Sequence, residues 1–266
     1  MDKKLKIALA QLNPLVGDVS GNVDKLINVR SGLSEDVDIL VAPELYVSGY
    51  PIDDLVLRED FLTLVEKEID KLKENTKDNK SAIIVGAPRK DKKSIKNSVF
   101  VIENGEIISI KDKYELPNTG VFDEQRIFKQ GPLEDCVTIK GVKFGLPICE
   151  DIWEKTVLEK LSKSGAEIII AINASPFTVS KNDEREKITS LRVKETKLPI
   201  VYLNRTGGQD ELIFDGSSFA LNHDGEKFYS SSEFKEETSE INFHKKNGKW
   251  LGNGNLNDSS SSSERL

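Results

Sequence analysis

Histidine is scarce in this sequence: only His223 and His244 occur among its 266 residues. A cysteine–histidine or serine–histidine relay needs a histidine beside the nucleophile, placed where it can take a proton. His223 lies in the turn-like stretch 221–225, and His244 lies in a polar stretch near the C-terminus. Both positions predict solvated side chains. If the chain carries out nucleophilic chemistry, we therefore expect its base to be a different residue type.

Other absences exclude further classes of protein. The two cysteines, Cys136 and Cys149, are too few for a disulfide framework. No run of about 18 apolar residues is present, so no membrane span is expected, and the N-terminus lacks the apolar stretch of a signal peptide. The net charge of -7 gives no basic surface for nucleic acid or acidic lipid. We expect a cytoplasmic protein that binds neither nucleic acid nor membrane.

What the sequence does contain is an alternation of strands and helices. Apolar patterns predict strands at 5–12, 39–42, 82–87, 167–172, 200–203 and 213–219, and helices at 20–32, 61–72, 153–164 and 183–197. Hairpins are expected about Asn104-Gly105, Lys140-Gly141 and Asp224-Gly225. Segment 167–172 is almost continuously apolar, which is typical of a strand covered on both faces. The pattern predicts an α/β fold with mixed sheets inside and helices outside.

The composition changes after about Trp250. A Gly-Asn-Gly-Asn stretch at 252–255 is followed by five serines, Ser259 to Ser263. We therefore predict one globular domain over residues 1–250 and a low-complexity tail or linker over 251–266.

Cys149 is the first candidate for chemistry. Most free cysteines are small buried hydrophobes, and that interpretation applies to Cys136, which starts a strand. Cys149 instead stands between a predicted strand and a predicted helix, in Pro147-Ile148-Cys149-Glu150-Asp151. A strand-to-helix turn exposes the side chain and directs backbone N–H groups and the helix dipole at it. These features predict a lowered thiol pKa and donors for an oxyanion.

Two charged residues also follow predicted strands. Glu44 comes after strand 39–42, and Lys113 closes the strand that follows Asn104-Gly105. Each alone could be an exposed surface residue. Because α/β folds collect their active sites at strand ends, a thiol, a carboxylate and an ammonium are expected to meet there. Acyl transfer needs a nucleophile, a base and positive charge for the oxyanion, and these three residues supply them without histidine.

The chain resembles the nitrilase, or carbon–nitrogen hydrolase, superfamily, and within it the glutaminase part of glutamine-dependent NAD+ synthetases. The resemblance covers almost the whole predicted domain, and its ordered motifs are Gln11-Leu12-Asn13-Pro14 with Gly17-Asp18, Pro43-Glu44-Leu45 with Gly49-Tyr50-Pro51, Leu116-Pro117-Asn118 through Gly120-Val121-Phe122-Asp123-Glu124, Ile148-Cys149-Glu150-Asp151-Ile152-Trp153, Asn173-Ala174-Ser175-Pro176-Phe177 and Gly207-Gly208-Gln209-Asp210-Glu211-Leu212.

The resemblance implies a four-layer αββα sandwich and a catalytic triad of Glu44, Lys113 and Cys149. In that mechanism Cys149 attacks the side-chain amide of glutamine and forms a thioester. Glu44 takes the thiol proton and passes it to ammonia. Lys113 and the backbone N–H after Cys149 stabilise the oxyanion, and water then releases glutamate.

The resemblance also implies a substrate pocket. Glu124 corresponds to a second family carboxylate that positions the lysine or the substrate, with a surface ion pair as the alternative. Lys181 would face the substrate α-carboxylate and Glu150 its amino group. Simple core packing is as good an explanation for Phe122 and Trp153 as pocket contact. The predicted substrate-binding residues are Tyr50, Phe122, Glu124, Glu150, Trp153, Ser175 and Lys181.

One family feature is missing from the sequence. The ATP-dependent synthetase domain of these enzymes carries a Ser-Gly-Gly-x-Asp-Ser motif, which does not occur here, and no phosphate-binding P-loop replaces it. We expect no cofactor and no metal in this chain, with ATP and magnesium needed only by the synthetase domain. The expected partners are glutamine, a synthetase domain or subunit, and further copies of the chain in a homo-oligomer.

Three hypotheses remain at the level of sequence. The first is a glutaminase, excised or naturally separate, that supplies ammonia for NAD+ synthesis. The second is a stand-alone amidase that acts on another small amide, because the triad alone does not choose the substrate. The third is a catalytically silent interaction domain. Lys181 and Glu150, a charged pair suited to an amino acid, favour the first.

Overall fold

In the computed structural model, residues 3–118 and 120–257 are described, and they form fifteen strands and five α-helices. The strands are β1 Lys4–Gln11, β2 Ile39–Val41, β3 Ala82–Asp91, β4 Ser94–Glu103, β5 Glu106–Asp112, β6 Val137–Ile139, β7 Val142–Gly145, β8 Ile168–Asn173, β9 Ile200–Asn204, β10 Thr206–Gln209, β11 Leu212–Asp215, β12 Phe219–Leu221, β13 Lys227–Ser230, β14 Glu237–Lys246 and β15 Lys249–Asn253. The helices are α1 Val19–Ser31, α2 Glu59–Asn75, α3 Glu124–Ile127, α4 Lys155–Lys163 and α5 Lys181–Thr196, with 3-10 turns at Asp53–Leu57, Thr76–Asp78 and Cys149–Ile152.

Two mixed sheets form the centre of the fold. The first has seven strands in the order β15-β14-β1-β2-β3-β4-β5, and the second has six in the order β13-β12-β9-β8-β7-β6. Strands β1, β2 and β3 are parallel in the first sheet, as are β7, β8 and β9 in the second. Strands β10 and β11 pair with each other in a separate two-stranded ribbon.

The apolar residues fall into three layers of packing, and these give the αββα order. Alternate residues of the first sheet, such as Ala8 and Ile83, pack against α1 and α2. The opposite face of that sheet, including Ile7, meets the inner face of the second sheet in a shared core. The outer face of the second sheet, including Ile169, packs against α4 and α5. Because strands buried on both faces must be apolar throughout, β8 reads Ile-Ile-Ile-Ala-Ile-Asn.

The predicted α/β sandwich and its three tight hairpins are confirmed. Asn104 and Gly105 join β4 to β5 with positive φ angles of 53° and 83°, the conformation that this dipeptide favours. No helix within the described residues is long and apolar enough to cross a membrane.

Several local predictions were wrong. The stretch around His244 was expected to be merely polar, but it forms strand β14. All of β1 pairs with β14, from Lys4↔His244 to Gln11↔Glu237. Strand 213–219 is interrupted, because Gly216 and Ser217 have positive φ angles of 71° and 51° and divide it between two sheets. The helix expected from residue 153 begins at Lys155, after a separate 3-10 turn. His244 itself is exposed, as expected.

The predicted domain boundary at residue 250 falls inside strand β15, Lys249–Asn253. The chain remains attached after that strand, since Asn257 N donates to Ser230 Oγ at 2.9 Å. The predicted serine tract, residues 259–263, lies outside the described residues.

Strand β14 provides a stability prediction. Phe243 is 1% exposed and packs edge-on against Phe228, with the ring centroids 5.4 Å apart. Phe243→Ala should lower the free energy of unfolding by about 3–5 kcal/mol, because a large buried ring leaves a cavity. The neighbouring exposed residue Asn242 is the control. Asn242→Ala should change the free energy of unfolding, measured by urea denaturation, by less than about 0.5 kcal/mol. Equal effects of both changes would contradict the placement of β14.

Candidate active site

Four chain segments that follow strands meet between the two sheets. Glu44 comes shortly after β2 and Lys113 directly after β5, both in the first sheet. Cys149 comes shortly after β7 and Ala174 directly after β8, both in the second sheet. The side chains of Glu44, Lys113 and Cys149 are all buried. The site is therefore assembled from both sheets, and its geometry depends on how the sheets are held against each other.

The carboxylate of Glu44 accepts three hydrogen bonds. Its Oε1 accepts from Lys113 Nζ and from Asn97 Nδ2, each at 2.8 Å. Its Oε2 accepts from the backbone N–H of Ala174 at 2.9 Å, which ties a residue of the first sheet to the second. A carboxylate has about four acceptor positions. One position on Oε2 is thus left for an incoming proton.

A glycine permits the turn that carries Glu44. A Cβ atom added to Gly86, on β3, would lie 2.4 Å from Leu45 N and 2.6 Å from Pro43 O. Leu45 also has a positive φ of 47°. This left-handed conformation costs a residue with a side chain about 1–2 kcal/mol. The turn after β2 is therefore pressed against β3 at the one residue that lacks a side chain.

Lys113 lies between two carboxylates. Its Nζ is 2.8 Å from Glu44 Oε1 and 2.9 Å from each carboxylate oxygen of Glu124. Tyr50 donates its hydroxyl to Glu124 Oε1 at 3.4 Å. Glu124 therefore lies beside the lysine with Tyr50 hydrogen-bonded to it, and its burial removes the alternative that Glu124 is a surface residue.

Burial and charge act against each other in this cluster. Burial alone would lower the pKa of the Lys113 ammonium, but the carboxylates of Glu124 and Glu44 raise it well above its usual range. Burial raises the pKa of Glu124 to about 7, although Lys113 opposes the shift. Lys113 is therefore held as a cation, and Glu124 is close to its titration point at neutral pH.

Cys149 starts a four-residue 3-10 turn in a strained conformation, with a φ of 46°. Left-handed backbone at a non-glycine residue is typical of functional sites. The lowered thiol pKa expected from the sequence is wrong. Burial raises the pKa of Cys149 well above its usual range and Glu44 raises it further, while Lys113 acts in the opposite direction. The following helix is a single 3-10 turn, too short to supply the dipole that the prediction assumed.

The register of the second sheet brings Cys149 towards Glu44. Ile148 forms a parallel bridge with Ile172, two residues before the Ala174 N–H that holds Glu44. The nucleophile loop and the anchor of the carboxylate are thus neighbours on adjacent strands. The electrostatic effect of Glu44 on the thiol pKa agrees with this placement.

Three of the predicted pocket residues lie on the second-sheet side of the site. Lys181 Nζ lies 4.3 Å from the ring centroid of Trp153 and 3.3 Å from Glu184 Oε2, and it remains partly exposed. Glu150 is partly buried, and its pKa is raised by burial while Lys113 and Lys181 lower it. A cation and a carboxylate are therefore available beside the Cys149 turn.

Two predicted pocket residues have structural contacts. Phe122 is partly buried and packs against the core of the first sheet. Ser175 follows β8, and its Oγ accepts a hydrogen bond from Arg185 Nε at 3.1 Å. Arg185 is itself buried and paired with Asp215 Oδ1 at 2.8 Å. Whether Phe122 and Ser175 contact a substrate stays a prediction.

The residues that hold this cluster in place were not among those predicted from the sequence. Asn97 joins Glu44 through its side chain, and its backbone oxygen accepts from Lys113 N at 2.8 Å. Asp151 accepts three backbone N–H groups from the segments that carry Lys113 and Cys149. One signal was available in the sequence. Asn97 stands two residues before the apolar run 99–102 on β4, and a buried polar residue needs a hydrogen-bond partner.

Within residues 3–118 and 120–257, no group of three or more His, Cys, Asp or Glu side chains is arranged to hold a metal ion. The buried carboxylates are already bound to Lys113, to Asn97 or to backbone N–H groups. The site as folded is organised around an ammonium.

Comparison with known proteins agrees with the fold. The carbon–nitrogen hydrolase family profile matches residues 6–245. The glutamine-dependent NAD+ synthetase of Rhodobacter capsulatus is 36% identical over 251 residues, which cover 94% of this chain and 45% of that protein. The corresponding enzyme of Acinetobacter baylyi is 38% identical over 237 residues, covering 88% and 43%.

Solved structures show the same architecture. The glutamine-dependent NAD+ synthetase of Acinetobacter baumannii superimposes with a TM-score of 0.88 at 34% identity, over 97% of this chain and 48% of that one. A carbon–nitrogen hydrolase from Helicobacter pylori has a TM-score of 0.82 at 21% identity, over 90% and 89%. The fold is the αββα sandwich of the nitrilase superfamily. The chain belongs to the carbon–nitrogen hydrolase family, and it spans less than half the length of the NAD+ synthetases that it matches.

The raised pKa of Glu124 predicts a pH dependence of stability. Its folded value of about 7 lies above the ordinary 4.5, so the native protein binds more protons than the unfolded chain between these values. The free energy of unfolding should therefore fall as pH rises through this window. The side chain of Glu124→Gln cannot titrate. The free energy of unfolding of this variant, relative to that of the unchanged protein, should therefore rise by about 2 kcal/mol from pH 5 to pH 7.

Urea denaturation at pH 5, 6 and 7 measures this difference. The control is Glu66→Gln on α2, where the side chain is exposed. The free energy of unfolding of Glu66→Gln should show the same pH dependence as that of the unchanged protein. A Glu124→Gln curve parallel to the unchanged protein would show that Glu124 does not titrate in this window.

Proposed function

We propose that this chain hydrolyses the side-chain amide of glutamine through a thioester on Cys149 and that the ammonia serves glutamine-dependent NAD+ synthesis. The observation that carries the proposal is the buried cluster in which Lys113 bridges Glu44 and Glu124 next to Cys149. A nucleophile, a base and a fixed cation are the three parts that acyl transfer requires. The NAD+ synthetase relatives support glutamine as the amide.

In the acylation step, Cys149 Sγ attacks the carbonyl carbon of the glutamine side chain. Because burial raises the pKa of the thiol, the resting group is protonated and needs a base at the moment of attack. The unused acceptor position of Glu44 Oε2 takes this proton. The resulting oxyanion is stabilised by the Glu150 backbone N–H and by Lys113, which turns one N–H from Glu124 towards it.

The second half of the reaction returns the enzyme to its starting state. The tetrahedral intermediate collapses, the carbon–nitrogen bond breaks, and Glu44 passes its proton to the departing nitrogen to give ammonia. Water then attacks the thioester carbonyl and loses a proton to Glu44, and the carbon–sulfur bond breaks. Cys149 recovers that proton and glutamate leaves, so one glutamine and one water give one glutamate and one ammonia.

The surroundings of Cys149 support an amino-acid substrate. In this proposal Lys181 turns from Glu184 to bind the α-carboxylate, while Glu150 binds the α-ammonium. The partial exposure of Lys181 leaves it free to make this movement. Tyr50, Phe122, Trp153 and Ser175 would complete the pocket as the predicted contacts.

The partner in this proposal is an ATP- and magnesium-dependent synthetase unit, either a further domain or a separate subunit. The matched NAD+ synthetases are more than twice as long as the aligned region, which leaves room in them for such a unit. This chain supplies ammonia in that scheme and does not itself need ATP. A homo-oligomeric assembly also stays a prediction.

Ammonia release from glutamine tests the proposed function. The unchanged protein should release ammonia and glutamate in equal amounts, with the synthetase partner added if needed. Cys149→Ala should lower the rate by more than about 1000-fold, because the nucleophile is lost. Cys136→Ala is the matched control: this thiol is partly buried and hydrogen-bonded to Ser164 O at 3.2 Å, and its removal should leave the rate within about 2-fold.

Other outcomes distinguish the competing hypotheses. Faster turnover of a simple aliphatic amide than of glutamine would favour the stand-alone amidase. Absence of amide hydrolysis, with or without the synthetase partner, would leave only the interaction domain.

A further inference from the structure

Asp151 is a buried carboxylate that the proposed reaction does not use. It is 3% exposed and stands two residues after Cys149. Its Oδ1 accepts from the backbone N–H groups of Tyr114 at 3.1 Å and Glu115 at 2.7 Å. Its Oδ2 accepts from Ile148 N at 2.9 Å. All three donors are main-chain groups next to a proposed catalytic residue.

These bonds join the two sheets. Tyr114 and Glu115 directly follow Lys113 and so belong to the segment that leaves β5 of the first sheet. Ile148 directly precedes Cys149 and bridges to β8 of the second sheet. One carboxylate thus connects the backbone beside the ammonium to the backbone beside the thiol.

A second carboxylate crosses the same gap in the opposite direction. Glu44 belongs to the first sheet and accepts from Ala174 N of the second. Asp151 belongs to the second sheet and accepts from two N–H groups of the first. Glu44 therefore remains attached to the second sheet even if Asp151 is changed, whereas the segment that carries Lys113 loses its own link.

We propose that Asp151 is a positioning residue that sets the separation of Lys113 from Cys149 across the two sheets. This inference deepens the proposed function and rests on it. Capping of the 3-10 turn would need only the bond to Ile148 N, since the turn already has its own bond from Asp151 N to Ile148 O at 3.1 Å. The two bonds to Tyr114 and Glu115 serve no local purpose in that turn.

The test separates oxyanion stabilisation from the nucleophilicity of the thiol. Asp151→Asn keeps the size of the side chain but directs an amide N–H₂ at one set of backbone N–H groups. Glutamine hydrolysis needs Lys113 at the developing oxyanion. Alkylation of Cys149 by iodoacetamide displaces iodide from a methylene carbon and forms no oxyanion, so it needs the thiol and Glu44 but not Lys113.

We expect Asp151→Asn to lower kcat for glutamine by about 100-fold, the loss that a displacement of about 1 Å causes at a catalytic group. KM and the rate of Cys149 alkylation should stay within about 3-fold of the unchanged protein. The matched control is Asp38→Asn. Asp38 also accepts a backbone N–H, from Lys6 at 2.8 Å, but lies outside the site. This control should leave kcat, KM and alkylation unchanged.

Two outcomes would overturn the inference. One is an unchanged kcat in Asp151→Asn. The other is a loss of alkylation in proportion to kcat, which would assign Asp151 a general structural role. If Asp151→Asn does not fold, Asp151→Ser is measured in its place, because serine is smaller and still accepts one hydrogen bond.

The inference can also fail independently of the proposed function. If the unchanged protein does not hydrolyse glutamine, the proposed function is wrong, but the hydrogen bonds of Asp151 can still set the separation of Lys113 from Cys149. In that case, crystal structures of the unchanged protein and of Asp151→Asn test whether Asp151 sets this separation. We expect residues 113–115 to move by more than about 0.5 Å relative to Ile148 and Cys149, the tolerance of a preorganised site. Superimposable positions would overturn the role of Asp151.

Discussion

The ammonium of Lys113 has no access to solvent and is held by two buried carboxylates, Glu44 and Glu124. An ammonium in such surroundings is tolerated only with partners at close range, and removal of one partner of a buried pair costs about 3–5 kcal/mol. Burial of Cys149, together with the negative charge of Glu44, raises the pKa of the neighbouring thiol and keeps it protonated until a base acts on it.

The proposed mechanism needs no catalytic histidine, because Glu44 acts as the base. A cysteine–histidine pair often forms a thiolate before the substrate binds. In the proposed mechanism the proton leaves Cys149 only when the substrate carbonyl is in place. Buried thiols are otherwise inert. In the proposed mechanism, amide hydrolysis therefore needs a substrate whose carbonyl oxygen comes within reach of Lys113.

Part of this site could be predicted from the sequence and part could not. Glu44, Lys113 and Cys149 follow strands in an α/β pattern, and strand ends meet at one edge of a sheet, so their convergence was foreseeable. The sign of the thiol pKa shift was not, because it depends on burial and on Glu44 rather than on the local turn. Asn97 and Asp151 act through tertiary hydrogen bonds that leave no periodic signal.

Strand β14 was missed for a different reason. Its outward side chains are polar or charged, so only Ile241 and Phe243 mark the buried face, and the stretch resembles a polar tail. Its pairing with β1 is tertiary, and the two strands are more than 220 residues apart in sequence. The strands at the centre of each sheet, such as β8, are almost entirely apolar, and this apolar run predicts a strand from the sequence alone.

The proposed mechanism requires that Cys149 carry the acyl group of the substrate as a thioester. Protein mixed briefly with glutamine, quenched in acid and digested should contain the Cys149 peptide enlarged by one γ-glutamyl group, and the adduct should disappear on mild base treatment, as a thioester does. The signal should be absent when glutamate replaces glutamine. Ammonia release with no adduct at Cys149, or an adduct on another side chain, would contradict the mechanism.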